Sequence, residues 1–217
     1  MAFTIMESVR KGRGLKPEHI KEMEANDVPE WYIWSCQQIK YMFPKAHAVA
    51  YVMMSFRLAY CKVHYPEAFY ATYFTTKAED FDADLIVKGL PAIKSKIKEI
   101  EELGNDATTK EKNMLTVLEV ALEMYARDIK IIPVDIYKSD AKTFQVVGEK
   151  TLLPPMIALQ GVGENAAINI QKERENGEFI SKEDFRKRTK ISRTVVETLD
   201  KHGSLGSMSD KNQLSLF

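Results

Sequence analysis

Hydrophobic and polar positions change their rhythm twice along the 217 residues. From the start to about residue 129, apolar residues recur three or four apart, the spacing of amphipathic helices. "KGRGLKPEH" is a glycine-rich loop leading into a helix that Pro17 can start. "FPKAHAVAYVMMSFRLAYCKVHYPEAFYATYFTT" holds two helical patterns separated by Tyr65-Pro66, with Pro44 and Pro66 at their first turns. "DADLIVKGLPAIKSKIKEIEELGND" and "ATTKEKNMLTVLEVALEMYARD" predict two further helices joined at Gly104-Asn105-Asp106. The longest apolar run, Ala46 to Cys61, is interrupted by His47 and Arg57. It falls short of the ~20 residues a bilayer span needs, and predicts a buried helix.

Near Lys130 the period shortens. "KIIPVDIYKSD" and "KTFQVVGEKTLL" are β-rich, with Gly148-Glu149 as a hairpin turn and Pro133 marking an edge strand. After "LPP" helical patterning resumes to about Leu205, followed by a Gly/Ser/Asp/Asn-rich tail. The expected fold is mainly α with a small β element and a domain boundary near Leu152 to Pro155.

Composition narrows the function less than the pattern does. The chain is 45% hydrophobic and 29% charged, as folded proteins are. Lys plus Arg balance Asp plus Glu at 31 each, so any contact with a polyanion must come from a local patch. Cys36 and Cys61 lie in apolar helical patterns, which predicts buried, reduced thiols and a cytoplasmic setting. Glu7, Arg10 and Lys11 interrupt any apolar leader, so no secretory signal and no membrane partner are expected.

The sharpest motif is "IALQGVGENAAINIQKEREN". Gly161-Val162-Gly163 precede Glu164-Asn165 and a helix beginning around Ala166. Glycines permit a tight turn and close approach of a ligand, and the first amides of a helix lack internal acceptors. Together they can seat a phosphate oxygen. No Gly-Lys-Ser/Thr follows, which excludes a Walker A loop, and a dinucleotide fingerprint would need a preceding strand and a third glycine. A degenerate second copy occupies "KISRTVVETLDKHGSL", with Ser192 as helix cap and Gly203 as stop. Arg186, Lys187, Arg188, Lys190 and Arg193 stand between and beside the copies. Alone such a run reads as a solvated turn; beside a phosphate-seating hairpin it reads as a salt-sensitive, sequence-independent grip on a DNA backbone.

A second constellation opens the helix after Pro44. Lys45 lies in the first turn, where the dipole favours anions, while His47 and Tyr51 are four apart on one face. A cation, an imidazole and an aromatic ring there suit a nucleoside triphosphate, although both rings could equally serve the core.

"PKAHAVAYVMMSFRLAYCKVHYPEAFYATYFT" resembles the fingers segment of bacterial replicative DNA polymerase III α subunits. "AEDFDADLIVKG", "DIYKSDAKTF", "GVGENAA" and the final "NQLSLF" resemble the PolC-type branch, so the resemblance runs from about Phe3 to Phe217. It implies that residues 1–150 are the C-terminal part of the fingers. Residues 151–205 would be a tandem helix-hairpin-helix domain holding duplex DNA, and 206–217 a flexible tail. Lys45, His47 and Tyr51 would approach the incoming dNTP. Gly161, Val162, Gly163, Glu164 and Asn165 would grip newly made duplex. Ala46 stands where many relatives carry serine, and the second hairpin lacks the Gly-x-Gly form.

The end of the tail, Gln213-Leu214-Ser215-Leu216-Phe217, resembles the peptide with which replication proteins hold the sliding clamp. Its three large side chains would contribute on the order of 5 kcal/mol before ordering costs, unless the tail folds back on its own domain. "EDFDADL" supplies Glu79, Asp80, Asp82 and Asp84, but acids before a helix act as caps. The family's catalytic aspartates, which hold Mg²⁺, belong to a palm domain elsewhere, so no metal site and no complete polymerase chemistry are expected here. The implied partners are duplex DNA, dNTP, the clamp, and the palm and thumb of the same subunit, in a bacterial, nucleoid-associated setting. The competing reading is a stand-alone adaptor that binds DNA and clamp and performs no nucleotide chemistry.

Overall fold

The structure, a computed structural model, describes residues 1–42 and 45–211. It is mainly helical with one three-stranded sheet, as the periodicity predicts. The chain divides into two compact units, Met1–Ala59 and a larger one from Tyr60 onward.

In the first unit, α1 (Ala2–Arg10), α2 (Pro17–Ala25) and α3 (Glu30–Gln38) enclose a small core of Ile5, Val9, Met23, Ile33 and Cys36. Pro17 occupies the first turn of α2, as read from the loop before it. Burial pushes the Cys36 thiol's pKa up. α4 (Lys45–His64) overturns an expectation. None of its residues is buried: Phe56 is 73% and Tyr51 65% exposed. A helix apolar on every side is built to be covered, yet every described residue of this one, which runs past Ala59 into the second unit, is at least partly exposed. Cys61 on the same helix is exposed too, so the expectation of two buried thiols holds for Cys36 alone.

In the larger unit, α5 (Pro66–Thr76), α6 (Ala83–Ile86), α7 (Leu90–Leu103) and α8 (Thr109–Ala126) lead into the sheet. Strands β1 (Lys130–Ile131), β2 (Gln145–Gly148) and β3 (Thr151–Leu153) are ordered β1-β3-β2. β1 is parallel to β3, and β2 antiparallel to it with a bulge between Val146 and Gly148. Pro133 follows the edge strand β1, as its missing N–H requires. The tight turn lies one residue later than expected, with left-handed Lys150 at φ 50°.

The helices α9 (Glu164–Glu173), α10 (Lys182–Thr189) and α11 (Arg193–His202) follow. The boundary expected near Leu152–Pro155 falls inside this unit. β3 is the central strand, Leu152 is fully buried, and one apolar core runs from Tyr70 and Phe74 through Leu118 and Leu152 to Ile170, Phe185 and Leu199. Segments on both sides of the expected boundary share that core, so the hairpin region is not a separate body. Among the described residues no helix is long and apolar enough to cross a membrane.

The acidic stretch behaves as caps and struts. Asp82 accepts the Leu85 amide at 3.0 Å, and Asp80 accepts from Asn113 Nδ2 at 3.3 Å. Asp84 lies 3.0 Å from His202 Nδ1, while the Val134 amide donates to His202 Nε2 at 3.0 Å. Since Nε2 accepts, Nδ1 carries the hydrogen and donates to Asp84. The His202 side chain is 3% exposed and joins α6, the segment after β1, and α11. His202→Ala is expected to orphan the buried Val134 donor, at about 1–3 kcal/mol. A thermal melt should show it as a fall of roughly 2–12 °C. The His202 bond holds the Asp84 carboxyl below its usual 3.8. That contribution is therefore complete above this value and fades as acid protonates Asp84.

Candidate nucleic-acid interface

The first hairpin is assembled by a short 3₁₀ turn at Met156–Ala158, the link Leu159–Gly163, and α9. Gly161 has φ +97°, beyond what side-chain-bearing residues adopt readily, so glycine is demanded by the turn itself. Val162 is an anchor: its side chain is buried and its N–H is bonded to the Leu159 carbonyl at 3.0 Å. The expectation that the Val162 amide meets phosphate is thereby corrected.

The open donors begin one residue later. The first helical bond of α9 runs from the Ala167 amide to the Gly163 carbonyl at 3.0 Å. The amides of Gly163, Glu164, Asn165 and Ala166 have no acceptor among the described residues. Gly163, Glu164 and Asn165 are exposed. Gly163 has an ordinary extended backbone, φ −76° and ψ 160°, and a Cβ placed there would meet nothing within 4 Å. Neither strain nor crowding within the chain requires glycine at this position. What its missing side chain leaves is open space beside unpaired amides at the positive end of a helix.

The degenerate second copy repeats this backbone. Lys190, at φ 55° and ψ 29°, takes the left-handed place of Gly161; buried Ile191 replaces Val162; Ser192, with φ −72° and ψ 159°, caps α11 as Gly163 caps α9. A lysine is tolerated because φ 55° lies in the left-handed well that side chains reach at about 1–2 kcal/mol. Ser192 Oγ accepts the Val195 amide at 3.3 Å, so part of this helix end is already satisfied. The Arg193 and Thr194 amides remain open among the described residues. The two hairpins lie close: a Cβ on Gly161 would stand 3.6 Å from Thr198 Oγ1 on α11.

The N-terminus of α10 is closed by contrast. Its first amides, on Lys182 and Glu183, donate to the carbonyls of Ser209 (2.8 Å) and Asp210 (3.2 Å), and the Asp184 amide to Ser181 Oγ at 3.1 Å. Lys182 Nζ also reaches Asp200 and Asp210 at 2.8 and 3.0 Å. The stretch expected to be a loose spacer is therefore strapped across α10 as far as Asp210. Gln213, Leu214, Ser215, Leu216 and Phe217 lie outside the described residues.

The basic residues part company. Arg186 and Lys190 are exposed and have no partner among the described residues. Lys187 pairs with Glu183 at 2.9 Å and Arg193 with Glu197 at 2.9 Å, both at the surface, where such pairs are weak. Arg188 does not belong with them. It donates to the carbonyls of Glu173 (2.6 Å), Gly177 (3.0 Å) and Glu178 (3.0 Å), and lies 4.3 Å from the Phe179 ring centre. Its guanidinium holds the α9–α10 connection together and is unavailable to DNA.

Sequence reading missed the residues that reach the first hairpin from far along the chain. Gln160 Nε2 donates to the Phe81 carbonyl at 2.7 Å, and Lys110 Nζ donates to Gln160 Oε1 at 2.7 Å. Lys142 Nζ pairs with Glu164 Oε1 at 2.7 Å. Only Gln160's position beside the motif could have hinted at a role; the two lysines gave no local signal.

At the start of α4, Lys45 and Tyr51 are exposed and His47 is half-buried. The His47 and Tyr51 rings are brought together, with centres 4.3 Å apart and planes tilted by 48°. The helical spacing predicted that meeting.

The class that this geometry defines is a helical protein carrying helix-hairpin-helix elements, and residues 128–214 match the family model described as "Helix-hairpin-helix motif". Along its full length the chain is similar to a segment of "DNA polymerase III PolC-type". It is 61% identical over 217 residues to that protein from Caldanaerobacter subterraneus subsp. tengcongensis, 60% over 216 residues in Clostridium perfringens, and 56% over 217 residues in Bacillus subtilis. Each match covers 100% of this chain and 15% of the relative. The resemblance drawn from the motifs is thus borne out.

Proposed function

We propose that this chain seats a backbone phosphate of duplex DNA on the open amides of its first hairpin, as one segment of a replicative DNA polymerase. The observation that carries this reading is the contrast between helix ends. The Gly163–Ala166 amides are open beneath a glycine that the fold does not require, whereas the amides of α10 are fully capped. Such a grip ignores sequence, because phosphate carries none. The second hairpin, half-closed by Ser192, would contribute less, with Arg186 and Lys190 supplying positive charge.

Fluorescence titration with duplexes of unrelated sequence is the direct test. Affinity should be the same for each and fall steeply with salt. Strong sequence preference, or binding indifferent to salt, would defeat the reading.

Two further roles follow from the likeness to the polymerase. Lys45, His47 and Tyr51 would face the incoming nucleotide, with Lys45 toward phosphate and the paired rings toward base or sugar. Gln213 to Phe217 would engage the sliding clamp. The bare apolar faces of α4 suit a helix covered by further polymerase chain, which favours this reading over a stand-alone adaptor. An adaptor leaves Lys45 and His47 without a ligand, so crosslinking of dNTP to this chain, mixed with palm-containing protein and primed DNA, separates the two. Deleting Gln213 to Phe217 is expected to abolish clamp pull-down while duplex affinity is retained. Clamp capture by the truncated chain would overturn the tail's role.

A further inference from the structure

The ion pair between Lys142 and Glu164 occupies an unusual place. Glu164 is the first residue of α9, so its carboxylate belongs to the same turn as the open amides. A carboxylate is attracted to that helix end for the reason a phosphate is, and it repels a second anion there. Glu79 adds another acid, lining with Glu164 and Gly163 the cleft of ≈ 210 Å³ at the hairpin. One cation meets the first of these acids directly. Lys142 Nζ lies 2.7 Å from Glu164 Oε1, and the pKa of its ammonium is raised chiefly by the hydrogen bond to Glu164, with a smaller contribution from Glu79.

The fold fixes the backbone that carries Lys142. Asp140 Oδ1 accepts the amides of Lys142 and Thr143, each at 2.8 Å, while Asp140 Oδ2 accepts from Gln171 Nε2 of α9 at 3.0 Å. The Phe144 amide donates to Thr75 Oγ1 at 2.9 Å. The lysine's loop is thus fastened to the helix that bears Glu164. Stability is a poor explanation for the pair itself, since its side chains are 52% and 53% exposed and such pairs contribute little.

We propose that Lys142 is a positioning residue of the phosphate site, pairing with Glu164 so that this carboxylate neither occupies the open amides nor repels the DNA backbone. The inference rests on the hairpin reading above. Its test is a double-mutant cycle in the whole chain, with duplex affinity measured across a range of salt and melting temperature measured alongside.

Lys142→Ala is expected to weaken duplex binding about three- to tenfold, because an unpaired carboxylate then faces the phosphate at the positive helix end. Glu164→Gln should bind at least as tightly as the parent. The double variant should match Glu164→Gln, because without the carboxylate there is nothing to hold, and Lys142→Arg should retain the parent's affinity. The salt slope should be unchanged throughout. Two results would overturn the proposal: a Lys142→Ala variant that binds like the parent, or a double variant as weak as Lys142→Ala with the slope reduced by about 0.9, the mark of a direct phosphate contact. Failure here is distinguishable from failure of the hairpin reading. If a substitution at Gly163 disrupts binding while Lys142→Ala does not, only the role of Lys142 falls.

Discussion

Gly163→Asp is expected to make the protein slightly more stable and a poor ligand for DNA. Gly163 caps α9 with the extended backbone that aspartate favours at such a position, and its missing side chain borders open space. The new carboxylate would accept an amide of Asn165 or Ala166, a gain of a few tenths of a kcal/mol over glycine. The same bond removes a donor from phosphate and places a negative charge in its way. Loss of a charge-assisted hydrogen bond is worth about 1.5–3 kcal/mol, or roughly 10- to 100-fold in duplex affinity. Gly163→Ser should show a smaller loss of the same kind, since it restores the arrangement of Ser192 without added charge. Opposite signs for melting temperature and affinity separate this result from ordinary damage. Unchanged duplex binding in the aspartate variant would remove the phosphate site from the first hairpin. Gly161 is a less discriminating target, because φ +97° makes any replacement there a strain on the fold.

The second large effect lies at Arg188 and concerns stability. Its guanidinium joins three carbonyls around the α9–α10 connection and faces the Phe179 ring, with Asp184 at 3.5 Å. Arg188→Ala is expected to cost about 3 kcal/mol, since charged donors are lost and the carbonyls keep no equivalent partner. For a chain of this size the melting temperature should fall by roughly 6–12 °C. Arg188→Lys should recover only a minor part, because an ammonium cannot reproduce the planar fork. Below the melting transition the salt dependence of duplex binding should be that of the parent. Arg186→Ala should behave in the reverse way, with stability unaffected and the salt slope reduced by about 0.9. If Arg188→Ala melted like the parent while flattening the salt slope, the assignment of its guanidinium to the connection would be wrong.

These two residues mark how far the chain could be read in advance. Gly161 and Gly163 were legible because a hairpin is local: the turn and the start of α9 lie within a handful of residues, although the inward anchoring of Val162 was not foreseen. Spacing alone also foresaw the meeting of His47 and Tyr51, and the proline positions foresaw the starts of α2 and α5. Arg188 looked like its neighbours Arg186 and Lys187, because nothing in a run of cations says which side chain turns inward. The strap of Ser209 and Asp210 over α10 was similarly hidden, since a polar tail gives no sign that two of its carbonyls will cap a helix. The apolar stretch after Ala46 misled in a different way. Hydropathy records that a helix is to be covered, not which chain covers it, and here the described residues leave it bare.

What the sequence determined by itself was therefore local and periodic: helices from a repeat near 3.6, strands from alternation, a glycine turn ahead of a helix end. The tertiary structure decided which amides stayed open, which cations were engaged, and that the sheet joins α5–α8 to the hairpins in one core. It also brought Lys110 and Lys142 to the hairpin across 50 and 22 residues of chain. The physical reason is range. Backbone propensity is set by immediate neighbours, whereas the partner of a charge or of an unpaired amide is whatever packing places within 3 Å, and that depends on the whole fold.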